Sequence, residues 1–282
     1  MKISVSMYSL HAKVKQGNLS IIQFLDFANR LSITGVELLD IYWQDKKQEL
    51  SQVQSALERN GLQVAAYDVT NNFVRLHKEE RLHEINKVME GIYVAKQLGT
   101  NIVRVFCGNG HDAVSFDEAK TYIVESLKQC AEVAERERVF LAIENHGLLA
   151  GRSEQVLEMI RLVNSSFVVA AFDTGNFLLV HEQPQAALET LKRQIKHVHF
   201  KDFRNKQAGE HARTFHSTNG EGFIGVIPGD GLVDLQAIMN QLTMIAYDGW
   251  LSIEYEGDFD SEMATQKAVS RLRTLLLEAN RS

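Results

Sequence analysis

Cysteine is scarce: Cys107 and Cys130 are the only two, with neither a CxxC pair nor zinc-ribbon spacing. A disulfide framework and a zinc ribbon are excluded, and reduced, buried thiols in a cytoplasmic chain are expected. An excess of positive charge is missing as well. Thirty Lys and Arg stand against 36 Asp and Glu, a formal net charge of −6. Such a balance gives no bulk pull towards nucleic acid or a membrane surface, and neither is expected as a partner. The longest apolar runs, such as Phe167 to Phe172, fall far below the roughly 18 residues of a membrane span. Near the N-terminus, Lys2 and Ile3-Ser4-Val5-Ser6-Met7-Tyr8-Ser9-Leu10 read as a first strand rather than a signal peptide. No GxGxxG follows that strand, and Gly108-Asn109-Gly110-His111 is a loop without the Lys-Ser or Lys-Thr of a phosphate-binding turn. Proline occurs twice, at Pro184 and Pro228, and no shift in composition marks a linker.

What is present is a regular alternation. The 282 residues are 45% hydrophobic and 23% charged, an ordinary globular balance. Strand-type runs begin near Ile3, Gly35-Val36, Leu62, Asn101, Val139, Phe167, Ile195 and Trp250. Helical periodicity fills the gaps: Phe116, Ala119, Ile123, Leu127, Cys130 and Ala134 recur every three or four residues. Ser115 and Glu118 form a capping box at the start of that helix. Leu82, Ile85, Met89 and Ile92 mark a second helix, and Ala268, Leu272 and Leu275 the last. Gly35, Gly61, Gly99 and Gly249 sit where left-handed helix ends are expected. Apolar strands alternating with helices predict parallel pairing with right-handed crossovers. Eight units favour a single (β/α)8 barrel domain over residues 1–282, with a doubly wound sheet as the alternative. One connection is out of proportion. The glycine-rich segment from Arg204 to Gly231 follows the seventh strand and is expected to be a lid over the strand ends, contributing His211, Arg213 or His216.

Ionisable residues gather at the ends of the last four strands. Val139-Phe140-Leu141-Ala142-Ile143 runs into Glu144-Asn145-His146-Gly147, and Val168-Val169-Ala170-Ala171-Phe172 into Asp173-Thr174-Gly175-Asn176. Lys196-His197-Val198 leads to His199-Phe200-Lys201-Asp202, and Trp250-Leu251-Ser252-Ile253 to Glu254-Tyr255-Glu256. Carboxylates at the end of apolar strands need a cation or partners to offset desolvation. Three carboxylates and an imidazole make an oxygen-rich donor set suited to one divalent ion, Mn²⁺ or Mg²⁺, with Zn²⁺ or Co²⁺ as further candidates. Taken singly, each residue also reads as a solvated or wall side chain; the pattern repeated on four adjacent strands points to a metal.

Ile-Glu-Asn-His-Gly, Phe-Asp-Thr-Gly-Asn-Phe, His-Val-His-Phe-Lys-Asp and Ser-Ile-Glu-Tyr, in this order, resemble the xylose isomerase-like sugar phosphate isomerase/epimerase superfamily over essentially the whole chain. The resemblance implies a metal held by Glu144, Asp173, His199 and Glu254. By analogy with the epimerases of that superfamily, Glu144 and Glu254 are expected to act as acid and base on opposite faces of a carbonyl substrate. Many relatives carry His three residues after the strand-six Asp; Asn176 stands there, altering proton transfer or substrate grip at that point. His146 and His197, each two residues from a ligand, are expected to touch substrate or ligands. Lys201 and Arg204 are candidates for gripping a hydroxyl-rich or anionic substrate, and Tyr8, Glu37, Tyr67 and Phe106 for walling the pocket. The implied activity is a metal-dependent isomerase or epimerase of a small carbohydrate-like carbonyl compound. A dehydratase of an inosose- or dehydroshikimate-like keto compound is the alternative. A DNA-repair endonuclease of the same superfamily needs extra histidines from the early strands, which this chain lacks, and a sugar-binding barrel without catalysis is the third reading. Homo-oligomerisation is left open.

Overall fold

The computed structural model describes residues 1–109 and 114–279. Gly110 and His111 of the loop noted above lie outside the described residues. In chain order the elements are β1 (Lys2–Ser6), α1 (His11–Lys15), α2 (Ile21–Arg30), β2 (Gly35–Leu39), α3 (Lys46–Asn60), β3 (Gln63–Asp68), α4 (Lys78–Gln97), β4 (Ile102–Phe106), α5 (Phe116–Glu137) and β5 (Phe140–Glu144). Then come α6 (Ser153–Val163), β6 (Val168–Asp173), α7 (Pro184–Leu191), β7 (Ile195–Phe200), β8 (Asp202–Asn205), β9 (Phe215–His216), β10 (Gly222–Val226), α8 (Leu235–Met244), β11 (Trp250–Ile253) and α9 (Ser261–Ala279). Eight parallel strands close in the order β1-β11-β7-β6-β5-β4-β3-β2, with Val5 opposite Ile253 at the seam. This is the (β/α)8 barrel that the alternation predicts, and all eight strands start within one residue of the expected positions.

Apolar side chains explain the layers. Helical stripes such as Ala119, Ile123, Leu127, Cys130 and Ala134 of α5 are fully buried against the barrel wall, behind a Ser115–Glu118 capping box. Leu82 departs from its stripe: it is 50% exposed, while Ile85 and Ile92 on the same helix are buried. The glycines divide. Gly61 and Gly99 adopt positive φ after α3 and α4, as expected. Gly35 and Gly249 do not; the left-handed positions before β2 and β11 are Ser32 and Ala246, both at φ 53°. Gly35 is small because a Cβ there would lie 2.2 Å from the Trp250 ring.

The segment after β7 is more ordered than a loop. Strands β8 and β10 pair antiparallel and β9 adds to β10, forming a separate three-stranded sheet. Asp202 closes its base, because its carboxylate accepts backbone N–H bonds from Phe203, Gly229, Gly231 and Val233 at 2.9–3.0 Å. Gly225 lies against the segment following β11, where a bridge joins it to Gly257.

Candidate active site

The four strand ends converge. Glu144 closes β5, Asp173 closes β6 directly across from His199 of β7, and Glu254 follows β11. One donor atom from each side chain lies within 4.8 Å of every other. His199 Nδ1 stands 3.7 Å from Glu144 Oε2, 3.8 Å from Asp173 Oδ2 and 3.6 Å from Glu254 Oε2. None of these four buried atoms makes a well-aligned hydrogen bond, and the three carboxylate oxygens face the Arg104 and Lys201 cations. Two of the other carboxylate oxygens are used: Asn176 Nδ2 donates to Glu144 Oε1 at 3.0 Å, and the amides of Gly175 and Asn176 donate to Asp173 Oδ1. Buried donor atoms this close together, held by two shared cations without aligned hydrogen bonds, are incompletely satisfied. A divalent cation fits this donor set.

The histidine is held from behind. Glu37 Oε1 lies 2.9 Å from His199 Nε2, and Glu37 Oε2 lies 2.7 Å from His197 Nε2. Burial works against an ionised Glu37, but His199 and His197 outweigh it and keep its carboxyl well below the usual range. An ionised carboxylate only accepts, so His197 donates its Nε2–H to Glu37. His199 meets the other oxygen in an ion-pair contact that is not well aligned as a hydrogen bond. Burial works against a charged His199, but Glu37, Glu254 and Asp173 outweigh it and raise the ring well above its ordinary value. Its Nδ1 therefore holds a proton that a bound cation would displace to take the lone pair. A second brace runs through β4. Arg104, buried inside the barrel, lies 3.1 Å from Asp68 and 3.0 Å from Glu144 Oε2. Burial, with Glu37 adding to it, drives Asp68 well above its ordinary value.

Lys201 ties the remaining acids together. Its Nζ is 2.7 Å from Glu254 Oε2, 3.0 Å from Glu256 Oε2 and 3.4 Å from Asp173 Oδ2. Burial pushes Glu254 up to about 7, against the pull of Lys201 and His199, with Glu144 and Asp173 adding to the rise. Burial would also raise Asp173, but Lys201, His199 and the Asn176 amide hold it well below its usual value. Besides Asp68, whose raised value favours the neutral acid, five acids (Glu37, Glu144, Asp173, Glu254 and the partly buried Glu256) meet two permanent cations, Arg104 and Lys201. The centre is short of positive charge.

Over it opens a cavity of about 470 Å³, lined by Tyr8, Phe106, His146, Lys201 and Glu256 among others. Tyr8 donates to Glu256 Oε1 at 2.8 Å, and the His146 ring stacks on Phe106 with centroids 4.0 Å apart. Asn176 lies beneath, bonded to Glu144. Three expected substrate contacts sit elsewhere. His197 is fully buried on Glu37, so it orients rather than lines. Tyr67 faces outwards from β3, packed near Gly91 of α4, because its neighbour Asp68 takes the inward face. Arg204 pairs with Glu210 inside the three-stranded excursion. Of the three side chains expected from that segment, Arg213 reaches the site's edge, its Nη2 donating to Glu256 Oε1 at 2.8 Å. His211 and His216 are exposed.

Arg104, Asp68 and the part played by Glu256 escape a reading of motifs. The available signal was a charged residue inside an otherwise apolar strand, as in Ile102-Val103-Arg104-Val105-Phe106, or two positions beyond a ligand, as with Glu256.

Among the described residues no helix is long and apolar enough to cross a membrane. An inosose dehydratase from Clostridium botulinum (strain Eklund 17B / Type B) is 26% identical over 242 residues, which cover 79% of this chain and 78% of that protein. Among solved structures, a D-tagatose 3-epimerase-like protein superposes with a TM-score of 0.80 at 19% identity, covering 100% of this chain and 99% of that one. The probable 3-DHS dehydratase from Bacillus anthracis gives 0.74 at 17% identity, over 97% and 99%. At such identities the two structures speak for the fold alone. The profile of one family matches residues 25–275. The chain belongs to the xylose isomerase-like TIM barrel family.

Proposed function

We propose that this chain is a divalent-metal-dependent isomerase or epimerase of a small sugar or polyol-derived carbonyl compound, with Glu144, Asp173, His199 and Glu254 as the metal ligands. The observation that carries the reading is the convergence of four buried donor atoms, one from each of four strand ends, beneath a cavity. When bound, the ion polarises the substrate carbonyl and offsets negative charge as the neighbouring C–H proton leaves. Glu144 and Glu254 carry the proton steps. One carboxylate takes the proton beside the carbonyl, giving an enediolate of the substrate, and the other returns a proton. Their supports differ, which suits two roles: Arg104 and Asn176 hold Glu144, whereas Lys201 holds Glu254. Tyr8, His146 and Lys201 line the cavity and are placed to orient hydroxyl groups.

A second reading keeps the first proton transfer and replaces the return step with loss of a β-hydroxyl, which makes the protein a dehydratase. The inosose dehydratases among its relatives favour it. One experiment tests both. The protein loaded with Mn²⁺ is incubated in D₂O with ketoses, inososes and keto acids. Deuterium at the carbon beside the carbonyl marks proton transfer, an epimer or isomer marks the first reading, and an unsaturated ketone marks the second. No exchange with any compound, from protein shown to hold its metal, overturns both. The two buried free thiols also support a cytoplasmic setting.

A further inference from the structure

The cavity wall holds charge of both signs, but its positive charge is already taken. Arg75, Lys87, Arg104 and Lys201 reach the cavity, and each is paired. Lys201 is spent on Glu254 and Glu256, and Arg104 bridges Asp68 and Glu144. Arg75 Nη2 stands 3.4 Å from Glu84 Oε1, whose other oxygen accepts the Asn72 amide N–H. Lys87 Nζ lies 3.3 Å from Asp40 Oδ2 and donates to the Thr70 carbonyl. Glu84, Glu144, Glu254 and Glu256 face the same space. Thr70, Asn71, Asn72 and Asn109 add amide and hydroxyl groups to the wall, and Leu39 and Ile41 add apolar ones. Burial also disfavours a positive charge on the lining imidazole of His11, whose Nδ1 is held 2.7 Å from the Tyr42 hydroxyl. Among the described residues, no lining cation is left over for an anionic group.

An incoming phosphate or carboxylate would have to break one of these pairs or lie beside the acids unneutralised. Like charges brought together at a partly desolvated surface cost several kcal/mol. A neutral polyol meets the opposite situation, because its hydroxyls donate to carboxylates and exchange bonds in both directions with amides. We infer that the site selects an uncharged polyhydroxylated ketone and rejects phosphate esters and carboxylates of comparable skeletons. This rests on the proton-transfer reading above and narrows its substrate class, removing dehydroshikimate-like acids and sugar phosphates.

The test uses the whole chain loaded with Mg²⁺ and two matched comparisons, D-fructose against D-fructose 6-phosphate and scyllo-inosose against 3-dehydroshikimate. Binding is measured by calorimetry. At least one neutral ketone should bind about a hundredfold more tightly than its anionic counterpart, the factor that follows from losing two tenfold steps to repulsion. An anionic compound binding as tightly as its neutral counterpart, or no binding of either neutral ketone, overturns the inference. Deuterium exchange on the same compounds reports separately on the chemistry. Neutral ketones that bind selectively without exchanging would leave the selectivity standing and remove the proton-transfer reading beneath it.

Discussion

A single side chain shows how much of this site depends on support. His199 can offer Nδ1 to a cation only while its Nε2–H is held by Glu37, 2.9 Å behind it. Replacing Glu37 with Gln keeps the shape but leaves one acceptor oxygen for two rings and turns an NH2 donor towards the other, while removing the negative charge behind His199. Metal affinity should fall roughly ten- to a hundredfold, measured by competition with a chromophoric chelator; unchanged affinity would mean that Glu37 does not orient the ligand. The carboxylates themselves should behave differently. Glu144→Gln and Glu254→Gln each retain an oxygen donor, so metal loss should be modest while proton exchange slows about a hundredfold or more. If both variants exchange at the wild-type rate with metal bound, the two-carboxylate scheme is wrong. Glu144, Asp173, His199 and Glu254 were legible because each ends an apolar run. Asp68 and Arg104 were not, and Glu37, expected in the pocket wall, stands behind the histidines instead. Their partners arrive from distant strands, His197 being 160 residues from Glu37 in the chain. Tyr67 was misplaced for a related reason. Which of two adjacent residues, Tyr67 or Asp68, faces inward depends on pairing that local pattern does not state.

Among the elements, the excursion between β7 and α8 is where the sequence was least informative. Its strands are short, and β9 has only two residues, so hydrophobic alternation has no length over which to show. Its place after the seventh strand was enough to expect a functional role, and Arg213 at the edge of the cavity agrees with that placement. The excursion docks where Gly225 meets the backbone after β11, and a Cβ there would lie 2.0 Å from the Glu256 carbonyl oxygen. Gly225→Ala should therefore shift the sheet or the Glu256 segment and cost about 1–3 kcal/mol of stability. Arg213→Ala should separate the two effects. Its side chain is 49% exposed, so stability should change by no more than about 0.5 kcal/mol. Glu256 would nevertheless lose a cation, and kcat/KM should drop. Unchanged turnover in that variant would make the excursion a structural ornament rather than part of the site.

At the scale of the whole molecule, the closed strand order turns four distant motifs into neighbours. β5, β6, β7 and β11 lie side by side in the barrel, although the excursion and α8 separate the last two in sequence. That arrangement was legible from alternation alone, since eight strand-helix units leave few ways to close a sheet. The same closure concentrates negative charge, with Glu37, Glu144, Asp173, Glu254 and Glu256 facing Arg104 and Lys201. Such a centre should be more stable with a cation in it, and the gain has a calculable form. An ion that binds the folded chain alone stabilises it by RT ln(1 + [L]/Kd), about 2.7 kcal/mol at a hundredfold excess over Kd. For a chain of this size that corresponds to a rise in Tm on the order of 5 °C or more. The melting temperature should therefore climb with Mn²⁺ concentration and fall back when EDTA is added. Asp173→Asn removes one charged donor, so its curve should shift to higher Mn²⁺ concentrations. A Tm indifferent to Mn²⁺, Mg²⁺, Zn²⁺ and Co²⁺ alike would show that the buried acids are neutralised by protons and by Lys201 and Arg104, leaving no place for an ion.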